Sequence, residues 1–286
     1  MENISIGHII INKYEILSRI GNGKFGDIYS GKNMKTYTPI AIKFEKKNQQ
    51  YKTLKNEATI LKYLYDNSCK YIPIIYWYGT YTEHLTLIMP KYDCSLQDYI
   101  LNHTLDSDQI NCIMLSIISI ISDVHKNYVL HRDIKPHHFM FKDKQLYLID
   151  FGISTFYIDG DKKMIPNVNN NNIIGSSNYA SYYLYQGNSY ARRDDMISIA
   201  YIYIFMNYLE LPWEKLAVEN NNVHIPLHNI THPKNIHCQQ LKSLTNILSV
   251  DKQKSTYFDL FMTKCYSIEY YEIPPYIEFI TMFHTE

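Results

Sequence analysis

Three glycines in six residues, Gly21, Gly23 and Gly26, stand between two runs rich in β-favouring side chains, "YEILSRI" and "DIYSG". No other stretch restricts the start of the fold as much. A dinucleotide-binding unit needs a strand, then the glycines, then a helix. Here a second strand follows at once. The expectation is a strand–turn–strand lid, whose uncovered backbone N–H groups can approach anionic oxygens such as those of nucleotide phosphates.

The pattern around the lid is β-rich and then helical. "PIAIKFE" (39–45) alternates as a half-buried strand, and "LTLIMP" (85–90) reads as another. Between them, residues 51–67 carry Leu54, Ala58, Leu61 and Leu64 at helical spacing. After residue 95 the pattern predicts helices over 95–101, 109–126, 193–208, 239–249 and parts of 256–284. A short strand pair, "FMF" and "LYLID", interrupts them, and the asparagine-rich stretches 166–172 and 219–222 read as exposed loops. The expected class is α+β: a β-rich N-terminal lobe with one main helix, joined to a mostly helical C-terminal lobe.

Lys+Arg and Asp+Glu are equal at 28 each, so nothing global draws the chain to nucleic acid or an anionic membrane. The apolar runs 110–121 and 196–209 are shorter than a spanning helix and read as buried helices. Five cysteines without a CxxC, and a start lacking a basic then apolar signal, point to reduced thiols in a cytoplasmic setting. Lysine greatly outnumbers arginine, and Ile, Asn and Tyr abound. That fits AT-rich coding, as in a large DNA virus, which would place the protein in host cytoplasm or a virion. Three of the four arginines, Arg132, Arg192 and Arg193, fall within motifs. A planar guanidinium in a lysine-solvated chain needs a specific reason.

Four further motifs follow the glycines in order. Lys43 ends "IAIK", and Glu57 lies fourteen residues on, within the helical segment. As a pair they can bridge strand and helix and aim an ammonium at phosphates. In "HRDIKPHHF", Asp133 is the candidate for accepting a hydroxyl proton. Lys135 can neutralise a moving phosphoryl group. "LIDFG" supplies Asp150 as a candidate metal ligand and Gly152 as a flexible neighbour. Each motif alone has a bland reading; their joint order does not.

Taken together the chain resembles the eukaryotic protein kinase superfamily, and within it casein kinase I. The likeness rests on "IGNGKFGDIYSG", "AIKFE", "HRDIKP", "LIDFGIS", "GSSNYASYYLYQG", "RRDDMISIAY" and "LPWEKL". "ASY" (180–182) stands where most kinases have Ala-Pro-Glu, a departure shared with casein kinase I. The resemblance implies an N-lobe over 1–89, a hinge over 90–94 and a C-lobe over 95–286, within one catalytic domain, 14–286. It implies ATP against Ile20, Gly21, Gly23, Gly26, Ile28, Ala41, Lys43, Met89, Pro90 and Tyr92, with magnesium on Asp150. Proline at 90 keeps the carbonyl that an adenine amine needs, and Tyr92 supplies an amide. Asp195, with Arg132, would anchor the catalytic loop. Arg192 and Arg193 would form an anion pocket, weakened because "EKLAVENNN" after "LPW" offers only Lys215. The implied protein is a monomeric serine/threonine kinase acting on protein substrates, acidic or phospho-primed ones among them, with no membrane or specific nucleic-acid partner.

His138 departs from that pattern, standing where an asparagine oxygen normally binds the metal. Magnesium prefers oxygen, whereas an imidazole nitrogen suits manganese. Three outcomes stay open: a slowed magnesium enzyme, a manganese-preferring enzyme, or an inactive scaffold. A zinc site at His137–His138 is set aside because adjacent side chains diverge and no other ligands cluster there.

Overall fold

The structure is a computed structural model that describes residues 4–23, 26–48, 52–216, 227–250 and 256–284. Its N-lobe sheet contains β1 (Ile9–Ile10), β2 (Tyr14–Gly23), β3 (Gly26–Asn33), β4 (Pro39–Lys46), β5 (Trp77–Tyr81) and β6 (His84–Pro90), all antiparallel, in the order β1-β2-β3-β4-β6-β5. β5 escaped the sequence reading because Gly79 breaks its alternation and, as an edge strand, it is only half buried. The β2–β3 hairpin narrows to Gly23 opposite Gly26. A β-carbon at Gly26 would lie 1.9 Å from the Phe44 carbonyl oxygen, and its φ is +134°, so the lid there admits only glycine.

α1 (Thr53–Asp66) crosses behind the sheet. Its spacing divides it between two cores. Leu54 and Ala58 pack with Leu87 and Met89 of β6, whereas Leu61 and Leu64 belong to the large C-lobe core. Glu57 is carried between them, so this helix registers one lobe against the other.

The C-lobe opens with β7 (Cys94–Ser95), α2 (Leu96–Asn102) and α3 (Ser107–Lys126). Cys94 pairs with Phe141 and so belongs to the C-lobe sheet, which leaves Lys91–Asp93 as the connection between lobes. Asp106 caps α3 and Gln109 completes a capping box. At 20 residues α3 exceeds the apolar run seen in the sequence, and it is long and apolar enough to cross a membrane by length and composition. Its apolar face, Ile113 to Val124, instead lies in the C-lobe core. β8 (Val129–Leu130), β9 (Phe139–Lys142), β10 (Gln145–Leu148) and β11 (Thr155–Phe156) form two small sheets, β10-β9-β7 and β11-β8, that hold the motif loops. β12 (Asn172–Ile174) follows, then α4 (Tyr182–Tyr185) and α5 (Arg192–Tyr208).

α5 is buried on every side, which accounts for its unbroken apolar run. β13 (Leu227–Asn229) pairs with β12. α6 (Pro233–Leu241), α7 (Leu244–Leu248), α8 (Thr256–Ser267) and α9 (Tyr276–Phe283) complete the lobe. The single helix expected over 239–249 is two helices, parted at Lys242, whose side chain turns into the core. The loop expected at 219–222 lies outside the described residues.

Candidate active site

β4 and α1 bring Lys43 and Glu57 together. The Lys43 ammonium donates to both Glu57 oxygens, at 2.7 and 3.0 Å, and lies 3.6 Å from Asp150 Oδ1. Burial alone would lower the Lys43 ammonium, but Asp150 and Glu57 outweigh it and raise it. Burial pushes Glu57 up to about 7, with Lys43 pulling the other way. Two further contacts fix α1. Glu45 Oε2 accepts from Thr53 Oγ1 at 2.7 Å and from the Leu54 amide at 2.9 Å, tying the first turn to β4. Asn56 Nδ2 faces the carbonyls of Phe151, Gly152 and Ser154 at 3.4, 3.1 and 2.9 Å, tying the helix to the Asp150 loop.

The loop that carries Asp133 hangs from Asp195 on α5. Buried Asp195 accepts from the amides of His131 and Arg132 at 2.9 and 3.0 Å, and from His125 Nε2 at 2.9 Å. Those bonds hold Arg132 at φ +70°, a strained conformation for a non-glycine residue. The Arg132 guanidinium lies over the Tyr190 ring, 5.1 Å from its centroid. His131 Nε2 faces the Ile149 carbonyl at 3.0 Å and its Nδ1 accepts from the Asp133 amide, which joins this loop to the strand entering Asp150. Asp150 itself sits at φ +68°.

Asp133 is buried and its two oxygens are separately held. Oδ1 accepts from the Ser176 amide at 2.7 Å and Oδ2 from Lys135 at 2.8 Å. Lys135 also reaches Ser176 Oγ at 2.8 Å. Burial opposes the Asp133 charge, but Lys135 and His138 outweigh it, so the carboxyl is held well below its usual range. Ser176 was missed as a site residue; its place directly after Gly175, in "GSS", was the available signal.

His138 joins the two carboxylates. Nδ1 stands 2.8 Å from the Asp133 backbone oxygen, and Nε2 stands 3.2 Å from Asp150 Oδ2. A carbonyl oxygen only accepts, so Nδ1 carries a proton and Nε2 is the atom presented to the cleft edge of Asp150. Asp150 is held well below the usual carboxylate range: burial opposes ionisation, and Lys43 and then His138 overcome it. With Nε2 free of a proton, Asp150 and His138 would give a divalent cation one oxygen and one nitrogen, a set softer than oxygen alone, although no group of three or more His, Cys, Asp or Glu ligands gathers among the described residues.

The lid residues Gly21 and Ile28 face each other across β2 and β3, and Ile28 stands opposite Lys43. Ile20 is exposed at the lip. Ala41 pairs with Met89, which is buried, and Pro90 ends β6 opposite Ile40. The Tyr92 ring is buried against Tyr147. Ile28, Ala41 and Met89 thus lie on β4, which carries Lys43, and on the two strands that flank it, and Lys43 itself stands 3.6 Å from Asp150.

Arg192 and Arg193 do not form an anion pocket. Both are buried; Arg192 donates to the Tyr271 carbonyl at 2.8 Å and lies over Tyr157. Arg193 faces the Ile268 carbonyl at 3.4 Å, with its guanidinium 3.7 Å from the Tyr183 centroid. The start of a helix buried all round turns both side chains inward, where carbonyls and ring faces meet the planar cations, although the Nε of each is buried without a hydrogen-bond partner.

The lysine–glutamate pair and the two carboxylate loops meet between a β-rich lobe and a helical one, the arrangement of a protein kinase fold. A sequence model of the protein kinase domain matches residues 14–272, and the chain belongs to the protein kinase family.

Proposed function

We propose that this protein is an active serine/threonine kinase of casein kinase I type, which moves the ATP γ-phosphate to hydroxyls of protein substrates in a cytoplasmic setting. The observation that carries the reading is the convergence of Lys43, Glu57, Asp133, Lys135, His138 and Asp150 on one cleft. Buried charges are costly unless they are used, and a disused site has no physical need for this set.

In this reading Lys43, steadied by Glu57, holds the α- and β-phosphates. A divalent cation held by Asp150 and His138 would neutralise charge on the phosphates. Asp133 is ionised, so it orients the acceptor hydroxyl and takes its proton as the new bond forms. Lys135 lies beside Asp133 and can meet charge on the transferred group, and lysine at this place is the feature in which the chain resembles serine/threonine kinases. Acidic proteins are included among the proposed substrates, but reading of a primed phosphate by Arg192 or Arg193 is not, since both face inward.

The test is transfer of labelled phosphate to casein with magnesium or manganese, with Asp133→Asn as the control. The expected result is metal-dependent transfer that the variant abolishes. One observation favours a second reading, a binding scaffold: a protonated His138 Nε2 would close an ion pair with Asp150, 3.2 Å away. Wild-type transfer no greater than that of Asp133→Asn in both metals would select the scaffold.

A further inference from the structure

Lys242 is fully buried, yet it has no part in the cleft chemistry. It stands where α6 ends, and its Nζ donates to the carbonyls of Ser177 and Ala180 at 2.7 and 2.6 Å. Three rings surround it: Tyr185, Tyr201 and Trp213 lie 4.7, 5.1 and 5.0 Å from the nitrogen. Its own carbonyl accepts from Tyr266 OH at 2.7 Å, which fixes the backbone behind it.

The residues it grips follow directly on Ser176, whose amide and hydroxyl meet Asp133 and Lys135. From Ser177 to Ala180, every carbonyl accepts a bond from an inward side chain. Ser177 O takes Lys242 and Tyr185 OH, and Asn178 O takes Trp213 Nε1 at 2.7 Å. Tyr179 O takes Ser198 Oγ at 2.7 Å, and Ala180 O takes Lys242. These donors come from four parts of the chain: α4, α5, the turn at Trp213 and the end of α6. Lys242 alone among them spans both ends. Either charge state retains at least two N–H donors for its two carbonyls, so the grip does not depend on the proton.

We propose that Lys242 is a positioning residue for the protein substrate: by clamping Ser177 and Ala180 it fixes the wall that seats the acceptor chain beside Asp133. The inference rests on the kinase reading above. A buried lysine is unfavourable for folding unless compensated, and here two carbonyls and three ring faces compensate it while fixing both ends of the segment. The residues read above as holding ATP lie on β2, β3, β4, the end of β6 and the connection after it, and Lys242 bonds to none of them.

The experiment compares Lys242→Met with wild type. Four quantities are read: KM for casein, KM for ATP, melting temperature, and hydrogen exchange at the amides of 176–181. The expected result is a casein KM raised about tenfold and faster exchange in 176–181, with ATP KM and, at pH 7, melting temperature near wild type. An unchanged casein KM would overturn the proposal, as would a parallel loss of ATP affinity or unchanged exchange. If wild type transfers no phosphate, the kinase reading fails, while exchange still decides whether Lys242 holds the segment. If Lys242→Met does not fold, Trp213→Phe takes its place. It keeps a ring beside Lys242 and removes the donor to Asn178 O together with part of the buried indole, and it must raise casein KM in the same selective way.

Discussion

His138 turns Nε2 to within 3.2 Å of Asp150 Oδ2 while Nδ1 stays 2.8 Å from the backbone oxygen of Asp133. An asparagine presents the same two ends, an N–H for the carbonyl and an oxygen for a metal. Imidazole keeps the first and exchanges the second for nitrogen. The loop is thus shaped as though asparagine were present, and only the donor atom differs.

Manganese is expected to support faster transfer than magnesium, because it accepts nitrogen more readily and tolerates distortion better. His138→Asn should reverse the order and raise the magnesium-supported rate about 10–1000-fold, equivalent to about 1.4–4 kcal/mol of barrier. Initial rates in each metal, for both proteins, check this. An unchanged metal preference in the variant would separate His138 from the metal.

Lys43→Met should lower kcat about 100–1000-fold, the scale for removing one preorganised charge from a transition state. The substitution also leaves Glu57 and Asp150 facing each other without the intervening cation, which should push Glu57 above about 7. Steady-state rates give the first effect, and carboxyl titration by NMR of labelled glutamate gives the second.

Much of this site was legible because its residues lie in short motifs whose chemistry requires them: Gly26 against the Phe44 oxygen, Lys43 with Glu57, Asp133 with Lys135. The strand-then-helix order gave the two lobes for a similar reason, since each element carries its own periodicity. The rest depended on contacts remote in sequence. Asn56 touches residues about 95–98 positions away, and Lys242 reaches carbonyls 62–65 positions away, so neither has a local pattern. Arg192 and Arg193 misled because the sequence does not show which way a helix start faces when the whole helix is buried.

Asn56 should prove necessary for assembling the cleft. Its Nδ2 has two hydrogens for three carbonyls of the Asp150 loop, the nearest at 2.9 Å. Asn56→Leu keeps the side chain's bulk and removes about two hydrogen bonds, worth about 1 kcal/mol each. If they hold α1 and the Asp150 loop together, KM for the ATP–metal complex should rise roughly 10–30-fold. Casein KM should stay near wild type. Equal rises in both constants would show general loosening instead.

The last prediction concerns pH and Lys242. Burial lowers its ammonium from 10.5 to about 7. Between those values the unfolded chain binds a proton at this residue and the folded chain does not. Stability therefore rises with pH across that window, with a slope of up to about 1.4 kcal/mol per unit, and this contribution is flat below about 7, where both states are protonated. Three ring faces and two carbonyls favour the cation and so narrow the window from its lower end. Lys242→Met has no such proton to exchange. Melting curves from pH 6 to 10 should show wild type gaining stability relative to Lys242→Met as pH rises above about 7. Parallel curves would mean that the buried nitrogen keeps its proton throughout, the rings and carbonyls having fully offset its burial.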